Sequence, residues 1–90
     1  MAEKIVMIQN AKGIHLRPSS LIAQALRDFS GKAYVVLPAG KTVEITASPF
    51  SVMGLELHKG DVVTLRVEGN DATQKLLELS ELFGKNFDFA

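Results

Sequence analysis

The residues with the clearest chemical potential are His15, Arg17 and Pro18, in the segment Gly-Ile-His-Leu-Arg-Pro-Ser-Ser at positions 13–20. Proline suits the first position of a helix because its missing N–H group would have no intrahelical partner there. The backbone N–H groups at the start of a helix attract anions. An imidazole nucleophile followed closely by a guanidinium and a helix start predicts a histidine that carries phosphate.

The helix that must position these residues is predicted from Pro18 to Phe29. Its apolar residues recur at helical spacing, and Gly31 ends it. Because a residue before proline is biased away from helical backbone, we expect Arg17 to be extended and to project with His15 at one exposed end. The residues directly before Pro18 include no Ser, Thr, Asp or Asn, so an incoming phosphate could satisfy helix donors that lack a side-chain cap.

The remaining chain predicts four strands and two more helices. The strands are expected at 5–8, 33–37, 42–46 and 63–67, and the helices at 49–53, ended by Gly54, and at 72–83, opened by a variant capping box at Asp71. This βαββαβα order predicts an α+β fold: an open-faced β-sandwich, with a four-stranded, mostly antiparallel sheet and three helices on one face. The polar alternation of the fourth strand predicts that the other face is solvated.

Composition limits the classes of function. The 90 residues, 47% of them hydrophobic, predict a single domain over residues 1–90. Ten basic and ten acidic side chains argue against a nucleic acid partner. Without cysteine, and with His15 and His58 lacking ligand spacing, we predict no metal site and no cofactor. No signal peptide or long apolar run is evident, so we expect a cytoplasmic protein without membrane insertion.

The segment Gly-Ile-His-Leu-Arg-Pro resembles the active-site motif of HPr, the histidine-containing phosphocarrier family of the bacterial phosphoenolpyruvate-dependent sugar phosphotransferase system. The resemblance extends to Gly-Lys-Thr-Val at 40–43, to residues 48–60, and to the length and element order, so it covers nearly the whole chain. It implies a monomeric carrier, rather than a stand-alone enzyme, that accepts a phosphoryl group on His15 from phospho-enzyme I. The product would be a pros-phosphohistidine that passes its phosphate to IIA proteins.

Around His15 we expect a phosphate cradle made by Arg17 and the helix start. The guanidinium can donate several hydrogen bonds to phosphate oxygens. The partial positive charge of the helix start favours both the neutral imidazole as nucleophile and the dianionic phosphate of the product. The hydroxyls of Ser19 and Ser20 are candidates for further phosphate contacts, or are simply polar residues of the first turn.

Ser48 resembles the family position that HPr kinase/phosphorylase modifies in some bacteria, which makes it a candidate regulatory site. Capping of the following helix is its alternative role, and the two are compatible because a phosphate at an N-cap is also stabilised by the helix dipole. Ser51 is a second candidate for modification. At position 49 this chain has proline where the family usually has a large aliphatic residue.

In the family, the first helix and the short second helix together form the docking surface for enzyme I and IIA. The resemblance therefore implies that partners contact four apolar residues here: Leu16, Phe50, Val52 and Met53. Leu16 stands where the family usually has a small residue. We expect Leu55 and Leu57 to pack in the core instead.

Three other functions are compatible with parts of this pattern. An HPr paralogue of the nitrogen-related branch would share the phosphohistidine chemistry. A small phosphate-binding α+β enzyme, for example a phosphatase using Arg17, would need a general base, and no carboxylate lies near the motif. An RNA-binding module would need exposed aromatic residues on its strands, where Tyr34 is the only one predicted.

Overall fold

The computed structural model is described for residues 1–9 and 16–84, without the side chains of residues 16–18 and 49. Its elements are β1 (Ala2–Met7), α1 (Leu16–Leu26), β2 (Lys32–Val36), β3 (Thr42–Glu44), a 3₁₀ helix (Pro49–Leu55), β4 (Val62–Glu68) and α2 (Ala72–Gly84). This is the predicted βαββαβα order, with the short helix in the tighter 3₁₀ form. None of the helices in these ranges is long and apolar enough to cross a bilayer.

The four strands form one sheet in the order β1-β4-β2-β3, and every neighbouring pair is antiparallel. Strand β4 pairs with β1 from Ala2 opposite Val67 to Met7 opposite Val62. It pairs on its other side with β2. The two strands at the edges of the sheet are therefore β1 and β3, which are separated by the whole width of the sheet.

The core lies between one face of the sheet and the helices, as the alternation along β4 predicted. Val63, Leu65 and Val67 are buried, whereas the residues between them are partly exposed on the open face. The largest fully buried side chains come from every layer of the fold: Ile8, Ile22, Val35, Ile45, Val52, Leu79 and Phe83. The open-faced sandwich of the sequence prediction is confirmed.

Strand β1 begins earlier than predicted, at residue 2 rather than 5, and ends one residue sooner. Ile8 lies beyond the strand but is fully buried. Its N–H donates to the carbonyl of Asp61 at 2.8 Å, and its carbonyl accepts from the N–H of Gly60 at 2.8 Å. The chain thus stays bonded to the turn before β4 although the regular ladder has ended.

Strand β3 is shorter than predicted and ends at Glu44 rather than at residue 46. The N–H of Ile45 still donates to the carbonyl of Ala33 at 2.9 Å. The N–H of Ala33 in turn donates to the hydroxyl oxygen of Thr46 at 2.6 Å. A side-chain oxygen replaces a backbone carbonyl here, which ends the regular ladder while satisfying the donor.

The short helix departs from its prediction in length and form. Gly54 was expected to end it, but the 3₁₀ helix continues to Leu55. It ends at Glu56, which has φ 55° and ψ 44°. This is the left-handed conformation that glycine usually provides at a helix end.

The start of α2 also differs from the predicted capping box. Asp71 has φ 61°, whereas an N-cap residue normally has extended backbone. Its contribution comes from the main chain, because its carbonyl accepts the N–H of Lys75 at 3.0 Å.

Candidate functional site

Helix α1 begins at Leu16, two residues earlier than predicted. Pro18 is therefore the third residue of the helix and not the first, and Arg17 has helical rather than extended backbone. A proline in the first turn removes no helical hydrogen bond, because the first N–H groups have no partner within the helix. Packing of the apolar helix face outweighs the local bias of a residue that precedes proline.

The earlier start of α1 changes which backbone donors lack a partner within the helix. The N–H groups of Leu16 and Arg17 belong to the first turn and have no intrahelical partner, while Pro18 has no N–H at all. The first turn contains no acidic residue that would offset the positive end of the helix dipole. An anion-attracting helix end therefore follows directly after residue 15.

His15 and the preceding residues 10–14 lie outside the described residues, as do the side chains of Leu16 and Arg17. The roles predicted for these side chains therefore stay predictions. What the structure adds is the position of the helix that starts beside them. That helix is anchored in the core through Ile22 and Leu26, which are both buried.

The two serines of the first turns differ in exposure. Ser19 is fully buried, and its hydroxyl has no hydrogen-bond partner within the described ranges. Ser20 is exposed. Because a hydroxyl without solvent exposure does not reach a phosphate in solvent, the predicted contact through the Ser19 hydroxyl is corrected, and Ser20 is the serine whose side chain lies at the surface.

The 3₁₀ helix presents two apolar side chains to solvent. Phe50 and Met53 are 51% and 43% exposed. Their spacing of three places them on the same side of a 3₁₀ helix. Val52 is fully buried in the core, so its predicted contact with partners is wrong. Leu55 and Leu57 pack against or within the core, as expected.

Ser48 stands directly before the 3₁₀ helix and is exposed. Its side chain makes no capping hydrogen bond. The first turn is closed by the main chain instead, where the N–H of Ser51 donates to the Ser48 carbonyl at 2.9 Å. The predicted capping role is therefore not seen, and the Ser48 hydroxyl is not used by the helix.

Comparison with known proteins identifies the family. The family model described as the PTS HPr component phosphorylation site matches residues 2–85. The chain belongs to the PTS HPr family. Phosphocarrier protein HPr of Treponema pallidum is 34% identical over 89 residues, covering 98% of each chain.

Two solved HPr structures share the fold. That of Bacillus anthracis HPr has a TM-score of 0.78 at 28% identity and covers 91% of this chain and 95% of that one. The structure of HPr-C-His from Thermoanaerobacter tengcongensis has a TM-score of 0.73 at 34% identity and covers 94% of this chain and 98% of that one.

His58 lies in an exposed turn, where its backbone N–H donates to a carboxylate oxygen of Asp61 at 2.9 Å. Within residues 1–9 and 16–84, no group of three or more His, Cys, Asp or Glu residues could hold a metal ion. The roles of His15 and Arg17 stay predictions from the sequence, whereas the first-turn N–H of Leu16 was not among the predicted donors, because it could be recognised only once the helix start was known.

Proposed function

We propose that this HPr-family protein carries a phosphoryl group on His15 from phospho-enzyme I to IIA proteins of a sugar phosphotransferase system. One observation carries the proposal: α1 begins at Leu16, directly after His15, in a chain that matches the family's phosphorylation-site model. The first-turn donors, which have no partner within the helix, then directly follow the proposed acceptor in the chain. The cytoplasm is the compartment in which we expect this exchange.

The proposed chemistry is a reversible displacement at phosphorus. The lone pair of the pros nitrogen of His15 attacks phosphorus, and a new N–P bond forms as the bond to the donor breaks and its electron pair returns to the donor. Transfer to IIA reverses these roles. The positive end of α1 disfavours the imidazolium and so keeps the nucleophile neutral.

The proposed phosphate cradle has main-chain and side-chain parts. The N–H groups of Leu16 and Arg17 and the guanidinium of Arg17 can donate to the oxygens of phosphohistidine. The exposed hydroxyl of Ser20 is the remaining candidate donor. All of these groups are donors, so the cradle stabilises the charged product without supplying a general base.

Enzyme I and IIA would dock on α1 and the 3₁₀ helix. Phe50 and Met53 supply the exposed apolar surface there, and Leu16 adds to it in our proposal. Methionine adapts to differently shaped partners, which suits a carrier that binds a donor and an acceptor in turn. We propose that the protein acts as a monomer, because the same surface must be open to each partner.

Ser48 is the proposed regulatory site for an HPr kinase/phosphorylase. Its side chain is exposed and makes no capping hydrogen bond, so a kinase could reach the hydroxyl without opening the helix. A phosphate at this position would add negative charge to the edge of the proposed docking surface. Pro49 fixes the backbone that such a kinase would read.

The direct test is phosphorylation by phosphoenolpyruvate and enzyme I. We expect one acid-labile, base-stable phosphate, located on residue 15 by mass spectrometry. His15→Ala should abolish uptake, and the control His58→Ala should retain it. A His15→Ala protein that still took up the phosphate would refute the proposed acceptor.

The acceptor used by the phosphorylated protein separates the remaining alternatives. Transfer to sugar-specific IIA proteins supports the proposal. Transfer only to the acceptor of the nitrogen branch would assign the chain to that paralogue group. Turnover of an aryl phosphate by the isolated protein would instead favour a phosphatase.

A further inference from the structure

Glu56 has an unusual backbone conformation for its residue type. Its φ of 55° and ψ of 44° lie in the left-handed region, which is unfavourable for residues with a β-carbon and which glycine adopts most readily. Among the described residues, Asp71 is the other non-glycine residue with a positive φ, but aspartate is one of the few types that visit this region regularly. Glutamate is not, so the chain carries a long acidic side chain at a position where glycine would be less strained.

The glycine of this segment lies two positions earlier. Gly54 is within the 3₁₀ helix, does not have a positive φ, and would meet nothing within 4 Å if it carried a β-carbon. The reversal at the end of the helix therefore makes no use of Gly54 and falls on Glu56 instead. Backbone strain of this kind is concentrated at functional sites, so the conformation of Glu56 calls for a role of its side chain.

The fold itself gives the Glu56 carboxylate no role. The side chain is exposed and forms no hydrogen bond or ion pair with another residue that the structure describes. Other exposed glutamates do have partners, since Glu3 pairs with Arg66 at 3.0 Å and Glu78 pairs with Lys75 at 2.7 Å. The carboxylate at position 56 is therefore available to a group outside the chain.

Glu56 stands at the end of the exposed apolar surface of the 3₁₀ helix. Phe50, Met53 and Glu56 follow one another at intervals of three, which is the repeat of a 3₁₀ helix, so the carboxylate follows two exposed apolar side chains. From residue 45 to residue 57, Glu56 is the only charged residue. A partner that covers Phe50 and Met53 therefore meets one charge at their border, and a cation is its complement.

We propose that Glu56 is a specificity-determining residue of the docking surface, whose carboxylate pairs with a lysine or arginine side chain of phospho-enzyme I. The inference rests on the proposed function and adds to it the charge that enzyme I presents beside Phe50 and Met53. Enzyme I is the relevant partner because it loads the carrier before any onward transfer, whichever acceptor follows. A charge at the rim of an interface raises the association rate and discriminates against partners with a like charge at that place.

The test compares phosphorylation of the full-length wild-type and Glu56→Gln proteins by phosphoenolpyruvate and enzyme I of the same organism. At about 50 mM salt, Glu56→Gln should lower kcat/KM about fivefold, as expected for one exposed ion pair. At about 0.5 M salt the difference should fall below about twofold, because salt screens the attraction. Glu81→Gln, at an exposed glutamate of α2, is the matched control and should leave kcat/KM unchanged at both concentrations.

The variant Glu56→Gly supplies a readout that a purely structural role would not produce. Because glycine adopts the left-handed conformation readily, Tm should rise by about 4 °C. The loss of the carboxylate should nevertheless lower kcat/KM as much as Glu56→Gln does. Stability and phosphotransfer then change in opposite directions.

Three results would overturn the inference. If wild-type protein is phosphorylated and Glu56→Gln is phosphorylated equally well at low salt, the carboxylate has no cationic partner on enzyme I, while the proposed function stands. A loss of the same size at both salt concentrations would show that the effect of Glu56 is not one of charge. If enzyme I does not phosphorylate the wild-type protein, the proposed function fails and this inference fails with it.

Discussion

The ammonium nitrogen of Lys75 lies 2.6 Å from the carbonyl oxygen of Ala25, which is 50 residues earlier in the chain. Ala25 is in the last turn of α1, where carbonyl groups have no partner within the helix. The same ammonium donates to Glu78 at 2.7 Å and lies 5.6 Å from the centre of the Phe29 ring. Lys75 therefore caps the end of α1 and joins it to α2, which fixes the helix whose other end begins beside His15.

Replacing Lys75 by methionine should lower the free energy of unfolding by about 1–2 kcal/mol, because the Ala25 carbonyl loses a charged donor while the apolar stem is kept. Urea denaturation measures this change. Lys41→Met, at an exposed lysine, should stay within about 0.5 kcal/mol. Equal effects of the two substitutions would show that the contact with Ala25 contributes nothing.

Gly31 is required by the close approach of two chain segments. A β-carbon there would collide with the carbonyl oxygen of Glu68 and lie 2.7 Å from the Phe29 ring. Gly31→Ala should therefore destabilise the fold by about 1–3 kcal/mol through overpacking, measured by thermal and urea unfolding. Gly54→Ala is the matched control, because a β-carbon at Gly54 meets nothing within 4 Å. A Gly31→Ala protein as stable as that control would contradict this close packing of Gly31 against Glu68 and Phe29.

Tyr34 should ionise above its ordinary value. Desolvation of the partly buried side chain is the main cause, and the Glu68 carboxylate, which accepts a hydrogen bond from the hydroxyl at 3.3 Å, further raises the pKa. Tyr34 is the only tyrosine, so its absorbance titration reports this group alone. Glu68→Gln should lower the pKa more than Glu44→Gln does, since Glu44 is the weakest of the causes. The reverse order would be inconsistent with the observed contact.

The raised pKa of Tyr34 also makes the free energy of unfolding depend on pH in the alkaline range. Above pH about 10 the unfolded chain releases the phenolic proton while the folded protein retains it. The stability that the raised pKa contributes is fully present below that pH and is lost as the pH rises through the folded-state pKa. Tyr34→Phe should therefore reduce the loss of stability in this alkaline range, which unfolding measured at a series of pH values would detect.

Ser48→Ala should change the free energy of unfolding by less than about 0.5 kcal/mol, because the side chain makes no capping hydrogen bond. A true N-cap serine would cost about 1 kcal/mol on the same substitution. Chemical denaturation distinguishes the two values. A cost as large as that of a cap would show that the hydroxyl is engaged and is not free for modification.

Phe50→Ser should reduce kcat/KM for phosphotransfer from phospho-enzyme I by about tenfold, because it removes an exposed ring from the proposed docking surface. Since Phe50 is half exposed, unfolding should change little. Leu77→Ser, at an equally exposed residue of α2, is the control and should leave transfer unchanged. If both variants accepted the phosphoryl group equally well, Phe50 would not be part of the docking surface.

Much of the architecture could be predicted because the spacing of apolar residues indicates which face of an element is buried. The alternation of Val63, Leu65 and Val67 indicated a sheet covered on one face, and apolar residues at helical spacing indicated α1. Boundaries were less accurate where tertiary contacts replaced local signals. Thr46 replaces part of a strand ladder, and Glu56 takes the conformation expected of a glycine. For the candidate site, residue types indicated His15 and Arg17, but Ser19 and Val52 were misjudged because neither burial is evident from composition.

The element order, the alternating core positions and the residues capable of phosphohistidine chemistry could be read from the amino-acid sequence alone, since each depends on residue types at short spacing. Three features emerged only from the folded arrangement: β1 is an edge strand, Ser19 is buried, and Lys75 reaches Ala25. These features depend on which distant segments pack together. Local patterns constrain such long-range pairings only weakly, because the free energy that selects them comes from the assembled core.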